Sequence, residues 1–281
     1  MSAFRRQLRW ELRKLWRRPR TYAGFVATFL FELTLMLFWR LPAVREGYGR
    51  ELFHLDVDVD RALTGLTTAV HVTAECMALI GALFLGLVAS DMLAREVEDG
   101  TLRMALARPV GRTSLLAQKL VASAVYTVAL TAFVGLSTLA LGLVLEGPGK
   151  LVVFSVREGV VAVLGFGLGL ERYALAVPML AAAMFTVTLL AIAVSCFPMK
   201  SGTAIVVAGS ILLADHLIRL EPALGSIAPY TLTTRLLTWR QMFGHPINWG
   251  RIERNYRDLL MLDLVLIAIS WWAFTRREIT R

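Results

Sequence analysis

The sequence predicts an all-α polytopic membrane protein with six transmembrane helices, one amphipathic helix at its N-terminus and a short helix in one loop. The 281 residues are 57% hydrophobic and only 18% charged. Six long apolar segments follow one another, and about 20 such residues cross a bilayer. The net charge of +9 comes from short basic stretches between these segments, which is typical of membrane-protein loops. The composition excludes a disordered chain, a soluble nucleic-acid-binding domain and a disulfide-rich scaffold.

Residues 1–20 predict an amphipathic helix. The apolar side chains recur at helical spacing and share one face, while arginine and lysine occupy the remaining surface. A basic amphipathic helix next to a span lies in the headgroup layer with its cations on anionic lipid. A stop-transfer charge cluster that only sets topology is the alternative. The residues that define the helix are Arg5, Arg6, Leu8, Leu12, Leu15 and Trp16.

Residues 21–281 are predicted to form one transmembrane domain. The six predicted spans are Tyr22–Trp39, Val70–Ser90, Leu115–Leu145, Tyr173–Phe197, Thr203–Ile218 and Tyr256–Thr275. A seventh apolar segment, Leu151–Leu170, is interrupted by Arg157 and Glu158, and as a span it would put the charged termini on opposite sides. We interpret it as a helix at the outer interface, within an outer interfacial segment over residues 146–172. Its glycines would also allow close helix packing; they are Gly165, Gly167 and Gly169.

The distribution of basic residues predicts the orientation. With six spans, one side of the membrane holds residues 1–20, the loop over residues 91–114 extended to Lys119, Lys200 and the C-terminal arginines. That side has more than half of the 30 basic residues, on shorter stretches of chain. Because loops rich in lysine and arginine stay in the cytoplasm, we expect both termini there. The expected location is the cytoplasmic (inner) membrane of a prokaryote.

The loop over residues 91–114 predicts a short helix. Three acids cluster before Gly100, and Thr101 is placed to cap a helix over Leu102–Ala107, whose N-terminus the acids favour. Pro109 then ends the helix. A short cytoplasmic helix with apolar and basic side chains suits docking into a groove on a partner. The same residues would also form a capped turn without a partner.

This loop, together with the rest of the chain, resembles the permease subunits of type-2 ATP-binding-cassette (ABC) exporters. The resemblance rests on an acid-rich run, Gly-Thr-Leu, a short helix, Arg-Pro-Val-x-Arg and a downstream lysine, and on the amphipathic helix and six spans. It implies that the short helix is a cytoplasmic coupling helix that inserts into a separate ATPase, and that the N-terminal helix is an interfacial connecting helix. The residues assigned to ATPase contact or loop shape are Glu96, Glu98, Asp99, Gly100, Thr101, Leu102, Arg103, Arg108, Pro109 and Arg112.

The resemblance also implies partners. These are two copies of an ABC ATPase subunit, a second permease copy or a paralogue, and membrane lipid, with no nucleic acid. The chain has no P-loop, because Gly147–Lys150 lacks the spacing and the Ser or Thr of that motif. ATP and Mg²⁺ are therefore expected on the partner ATPase, and this chain is expected to have no cofactor, metal site or catalytic residue. The substrate stays open, as does the choice between export and force transmission.

Several ionisable residues lie in or near the spans. A charge at the bilayer centre costs about 2.5–3.5 kcal/mol, so each should face protein or water. Such residues would form a polar outer cavity, a proton relay or a metal site, or they would lie near the interface and snorkel or pair. For Asp215 and His216 we favour the interfacial position, and Asp263 fits either interpretation. The candidate pathway residues are Glu32, His71 and Glu75.

Two other function classes are open. An ATP-independent secondary transporter or channel would transport without an ATPase. An intramembrane enzyme would need a nucleophile with its base, or metal ligands, converging at depth. The sequence has neither HExxH nor G-x-S-x-G.

Overall fold

A computed structural model of the chain describes residues 2–52, 63–98, 100, 111–155 and 160–276. Within these ranges six helices are long and apolar enough to cross a membrane, which confirms the all-α polytopic fold. They are α2 (Pro19–Phe38), α4 (Gly65–Glu98), α5 (Arg112–Glu146), α6 (Phe166–Ser195), α7 (Ser201–Leu220) and α9 (Trp249–Arg276). Each of them overlaps one predicted span.

Shorter elements connect these helices. The α-helices are α1 (Ser2–Arg17), α3 (Pro42–Leu52) and α8 (Leu232–Leu236), the strands are β1 (Leu151–Ser155) and β2 (Val160–Leu164), and the 3₁₀ turns are Pro222–Leu224, Ala228–Tyr230 and Leu237–Phe243. Within α4, the segment Met77–Gly81 is π-helical. A π segment widens one turn of a helix and interrupts its regular hydrogen bonding.

The break between α1 and α2 follows from the local sequence. Arg18 has an extended backbone and Pro19 is the first residue of α2, a position that proline favours because no hydrogen bond needs its missing N–H. The Thr21 hydroxyl donates to the Leu15 carbonyl at 2.6 Å. These contacts fix the corner at which the amphipathic helix meets the first span.

Residues 151–155 and 160–164 pair as two antiparallel strands, so the helix predicted over Leu151–Leu170 was wrong. β1 pairs with β2 from Leu151 opposite Leu164 to Ser155 opposite Val160. Valine-rich segments favour strands, and a short apolar run does not by itself distinguish a strand from a buried helix. Arg157 and Glu158 lie outside the described residues.

The bundle is threaded up and down between two sides. On one side α1 meets the end of α4, and Arg112 at the start of α5 donates to the Thr275 carbonyl near the end of α9. We call this the basic side. On the other side Arg40, just beyond α2, pairs with Glu146 at the end of α5 at 2.8 Å. We call it the hairpin side, because β1 and β2 follow α5 there.

Glycine allows one close crossing of helices on the hairpin side. A Cβ atom at Gly65 would lie 2.6 Å from the carbonyl oxygen of Gly142, so the backbones of α4 and α5 approach directly. Of the three glycines predicted to allow packing, Gly169 faces Leu151, whereas a Cβ at Gly165 or Gly167 would have no neighbour within 4 Å.

Hydroxyl groups bind the central helices to one another. Thr73 of α4 lies 2.7 Å from Thr138 of α5, and both lie within 2.9 Å of the Tyr173 hydroxyl of α6. Tyr173 also donates to the Gly135 carbonyl. Because lipid is as apolar as leucine, polar contacts and close packing, rather than hydrophobic burial, hold such a bundle together.

The chain between α7 and α9 folds back onto the bundle. Trp239 and Phe243 of the last 3₁₀ turn are fully buried, although the sequence placed them in an outer loop. The neighbouring helix α7 is peripheral, with only Ala204 and Ala208 buried. Its most exposed large apolar side chains are Val206, Leu213 and Leu217.

Candidate functional site

A buried carboxylate at the basic side joins three helices. Glu96, near the end of α4, has a side chain that is only 4% exposed. Its oxygens accept hydrogen bonds from Lys119 of α5 at 2.6 Å and from Lys14 of α1 at 2.5 Å. Arg18, at the corner between α1 and α2, lies 3.3 Å away. Glu96 and these three cations are called the Glu96 cluster below.

Lys119 is the least exposed member of the Glu96 cluster, at 1%. Its ammonium also donates to the Met92 carbonyl at 2.6 Å and lies 3.8 Å from a Glu11 oxygen. An ammonium removed from water in this way needs such partners, because an unpaired buried charge costs several kcal/mol. Lys14 and Arg18 are partly exposed, so their attraction to Glu96 is weaker through solvent screening.

Asp91, just over one helical turn before Glu96, forms a second contact with the corner. Its carboxylate accepts two hydrogen bonds from Arg20, at 2.7 and 3.0 Å, and its backbone carbonyl accepts one from Arg18. Arg95 lies 3.5 Å from the same carboxylate. The end of α4 therefore contacts the corner between α1 and α2 at two positions, Asp91 and Glu96.

The predicted amphipathic helix is present as α1, and its apolar face packs on protein. Leu15 is buried, and the Trp16 ring lies 5.9 Å from Phe25 of α2. Arg5 and Arg6 are exposed. Leu8 and Leu12 are half-buried. Its position in the headgroup layer stays a prediction.

The predicted short helix lies outside the described residues. This applies to Asp99 and to residues 101–110, and hence to Thr101, Leu102, Arg103, Arg108 and Pro109. The described flanks of the loop are fixed to other helices. Glu98 accepts a hydrogen bond from the Ser201 N–H at 2.5 Å. Arg112 holds the end of α9 through Thr275.

Gly100 has a φ of 67°, in the left-handed region. Glycine adopts this conformation without strain and commonly follows the last helical residue. The left-handed backbone of Gly100 does not continue a helix, which agrees with the end of α4 at Glu98. A side chain here would be strained even though the space around it is open.

Glu32 lies within the bundle, away from the surface of the chain. It is 0% exposed and accepts a hydrogen bond from the Ser137 hydroxyl at 2.6 Å. Cys76, which precedes the π segment of α4, lies 4.0 Å from its other oxygen. This geometry joins α2, α4 and α5. A role in a substrate pathway stays a prediction.

His71 and Glu75 form a polar cluster at the hairpin side. The His71 ring lies 5.1 Å from the Trp39 ring, Trp39 also contacts Glu75, and the charge of Arg240 acts on both His71 and Glu75. The sequence reasoning missed Arg240, because it follows the buried Trp239 in a segment interpreted as a loop. Within the described ranges, no group of three His, Cys, Asp or Glu residues is placed to hold a metal ion.

Asp215 is paired, in line with the interpretation favoured from sequence. Its carboxylate accepts hydrogen bonds from the backbone N–H groups of Leu232 and Thr233 at 2.8 and 2.6 Å, and from the Thr233 hydroxyl. It therefore caps α8 and holds that helix against the end of α7. Asp263 faces Thr186 of α6 inside the bundle.

A comparison with known protein families identifies the family of this chain. A family model described as ABC-2 family transporter protein matches residues 8–233. The chain belongs to the ABC-2 transporter family. A comparison of this ABC-2 protein with curated proteins finds no match. The matched range holds every residue of the Glu96 cluster, while α9 lies beyond it.

Membership of the ABC-2 family gives the chain its general role. An ABC-2 protein of this kind is the integral membrane permease subunit of an ABC transporter, and the family implies an ABC ATPase as partner. The resemblance noted in the sequence is thereby confirmed.

Proposed function

We propose that this ABC-2 permease couples ATP hydrolysis on a separate ATPase to export across the membrane. The observation that supports this most strongly is the Glu96 cluster. Glu96 lies only a few residues before the short segment Leu102–Ala107 that resembles a coupling helix, and the cluster joins that end of α4 to α1 and α5. A force applied to the loop would therefore act on three helices together.

The residues on either side of the loop would transmit such a force to two further helices. Glu98 contacts the start of α7 and Arg112 contacts the end of α9. Movement of the segment between them would thus reach α7 and α9 as well as α4 and α5. Packed helices move in discrete shear and hinge steps, so a displacement at the loop would tilt spans.

The orientation follows from the same assignment. The basic side faces the cytoplasm, with both termini and the loop over residues 91–114. Two ATPase subunits there bind ATP and Mg²⁺, and a second permease copy or a paralogue completes the pathway. The basic face of α1, including Arg5 and Arg6, lies against anionic headgroups. The membrane is the inner membrane of a prokaryote, and this subunit itself performs no catalysis.

Copurification tests the assignment of the loop. Residues 100–110 are replaced by a Gly-Ser segment of equal length in a tagged full-length chain produced in its native host. An ABC ATPase should copurify with the wild-type chain and be lost from this variant. The matched control replaces residues 156–159, between β1 and β2, and should retain the ATPase. Equal recovery of the ATPase with the loop replaced would overturn the proposal, as would transport by the chain alone in proteoliposomes.

A further inference from the structure

Glu32 is an acid buried inside the membrane-spanning bundle, at a point where three helices meet. It is 0% exposed and lies about 9 Å from the hairpin-side end of α2, at 1.5 Å per residue. Its polar neighbours come from α4 and α5, through Cys76 and Ser137. Cys76 directly precedes the π segment Met77–Gly81, and π turns within α-helices are frequent at functional sites. The acid is therefore held at membrane depth beside an irregular turn of the neighbouring helix.

The titratable groups around Glu32 are acids. Cys76 of α4 lies 4.0 Å from one carboxyl oxygen, and Glu75 precedes it on the same helix. The Tyr173 hydroxyl of α6 lies close enough to interact with a charge on Glu32. Tyr126 of α5 faces α2 about two turns nearer the basic side. None of these groups carries a positive charge at any pH, so none of them stabilises a carboxylate.

The cations of the surrounding elements act on other groups. Arg240 acts on His71 and Glu75 but not on Glu32. Arg40, just beyond α2, binds the end of α5. The Glu96 cluster occupies the cations of α1, the corner and the start of α5. Within the part of the chain that the structure describes, no lysine, arginine or histidine pairs with Glu32. An ionised Glu32 would thus be a buried charge without a counter-ion, which is strongly unfavourable.

The short contacts of Ser137 need one hydrogen more than its hydroxyl carries. The Ser137 oxygen lies 2.6 Å from a Glu32 oxygen and 2.8 Å from the Phe133 carbonyl, but a hydroxyl donates only once. An ionised Glu32 accepts that single hydrogen bond. A protonated Glu32 supplies a hydrogen of its own, because the carboxyl O–H donates to Ser137 while the Ser137 O–H donates to Phe133. Only the protonated form makes both contacts hydrogen bonds.

We propose that Glu32 is a proton-binding site in the core of the bundle. In this conformation it is a neutral carboxylic acid whose O–H joins α2 to α5. When these helices separate, water solvates the carboxylate and accepts the proton. A conformational cycle that opens the contact between α2 and α5 therefore releases one proton and binds one again on closing. The site is a property of this chain and does not depend on coupling to an ATPase.

Infrared spectroscopy of the full chain in lipid bilayers tests the protonation. At about pH 6 an exposed glutamate is ionised, so a carbonyl band of a carboxylic acid reports a buried acid. We expect Glu32→Gln to lose the intensity of one carboxyl group from this band. Glu253→Gln, at an exposed position on α9, is the matched control and should keep the wild-type band. Identical acid bands in the wild type and Glu32→Gln would overturn the proposal.

The pH dependence of unfolding tests whether the proton leaves when the helices separate. The folded chain holds a proton that an exposed glutamate has lost, so unfolding releases one proton and stability falls as the pH rises. Between about pH 5 and 7, the unfolding equilibrium constant in mixed micelles should rise up to tenfold more per pH unit in the wild type than in Glu32→Gln. Glu253→Gln should follow the wild type. Equal pH slopes in the wild type and Glu32→Gln would contradict the release of a proton.

A second variant supplies the test should Glu32→Gln fail to fold. Ser137→Ala keeps the carboxyl group and removes its hydrogen-bond partner, so the acid band should shift. The wild type and this variant are made with glutamate that carries a heavy carbon isotope in its carboxyl group, which separates glutamic acids from Asp263. A glutamic-acid band that shifts in Ser137→Ala assigns the proton to Glu32. Absence of such a band in the wild type, or an unshifted band in Ser137→Ala, would equally overturn the proposal.

Discussion

The ammonium nitrogen of Lys119 lies 2.6 Å from a Glu96 oxygen, and neither side chain is more than 4% exposed. A buried ion pair adds little net stability compared with well-packed apolar residues, but loss of one partner is strongly destabilising. The pair therefore acts as a constraint on geometry, because it specifies how the end of α4 meets the start of α5. Lys14 extends the same constraint to α1.

Replacement of Glu96 by leucine should destabilise the chain by about 3–5 kcal/mol, because Lys119 would remain buried with its nearest carboxylate 3.8 Å away in Glu11. Lys119→Met should cost less, about 1–3 kcal/mol, since Glu96 keeps Lys14 and Arg18. The free energy of unfolding in mixed micelles measures both. Glu253→Leu, at an exposed position on α9, is the control, with an expected cost below about 1 kcal/mol. Equal losses in all three variants would contradict the assignment of Glu96 as the centre of the cluster.

A side chain at the crossing of α4 and α5 should separate the two helices. In Gly142→Ala the new methyl group would meet the backbone of Gly65, which has no flexible side chain to move aside. We expect a loss of about 1–3 kcal/mol, typical of overpacking. Gly167→Ala, which adds its methyl group in open space, should leave stability unchanged or slightly improved. Thermal unfolding in detergent measures the difference, and similar midpoints for the two variants would show that the helices do not cross this closely.

The six spans and α1 were predictable because their signals are local. Apolar runs of span length and the repeat of Leu8, Leu12, Leu15 and Trp16 are visible in any short window of sequence. The break at Arg18 and Pro19 is local as well. These elements need no knowledge of which helix packs against which.

The centre of the candidate site was not predictable in the same way. Glu96 was assigned to ATPase contact or loop shape, and its burial depends on Lys14 and Lys119, which are distant in sequence. A signal was nevertheless present, because Lys119 lies well inside the helical pattern that begins at Arg112, where a solvated lysine is unusual. The hairpin of β1 and β2 was missed for a different reason. Its signal is local, but its apolar runs fit either a strand or a helix.

The cap of α8 should be sensitive to loss of Asp215. In Asp215→Ala the N–H groups of Leu232 and Thr233 lose their carboxylate partner, which should cost about 1–2 kcal/mol. Hydrogen exchange at amides of residues 232–236 should then be roughly tenfold faster, while amides of α5 keep their rates. Glu253→Ala, at an exposed position on α9, serves as the control. Unchanged exchange in α8 would mean that Asp215 does not hold this helix.

Removal of the charge at Glu96 should uncouple the permease from its ATPase. Glu96→Gln keeps the size of the side chain but weakens the contacts to Lys119, Lys14 and Arg18, so a force on the loop would no longer reach α1 and α5 together. We expect permease-dependent ATP hydrolysis to fall about tenfold, equivalent to one charged hydrogen bond, while the ATPase still copurifies. Arg5→Gln, exposed far from the cluster on α1, should hydrolyse ATP at the wild-type rate. Wild-type rates of ATP hydrolysis in Glu96→Gln would show that the cluster serves folding alone. This variant keeps the loop that contacts the ATPase and changes only the cluster.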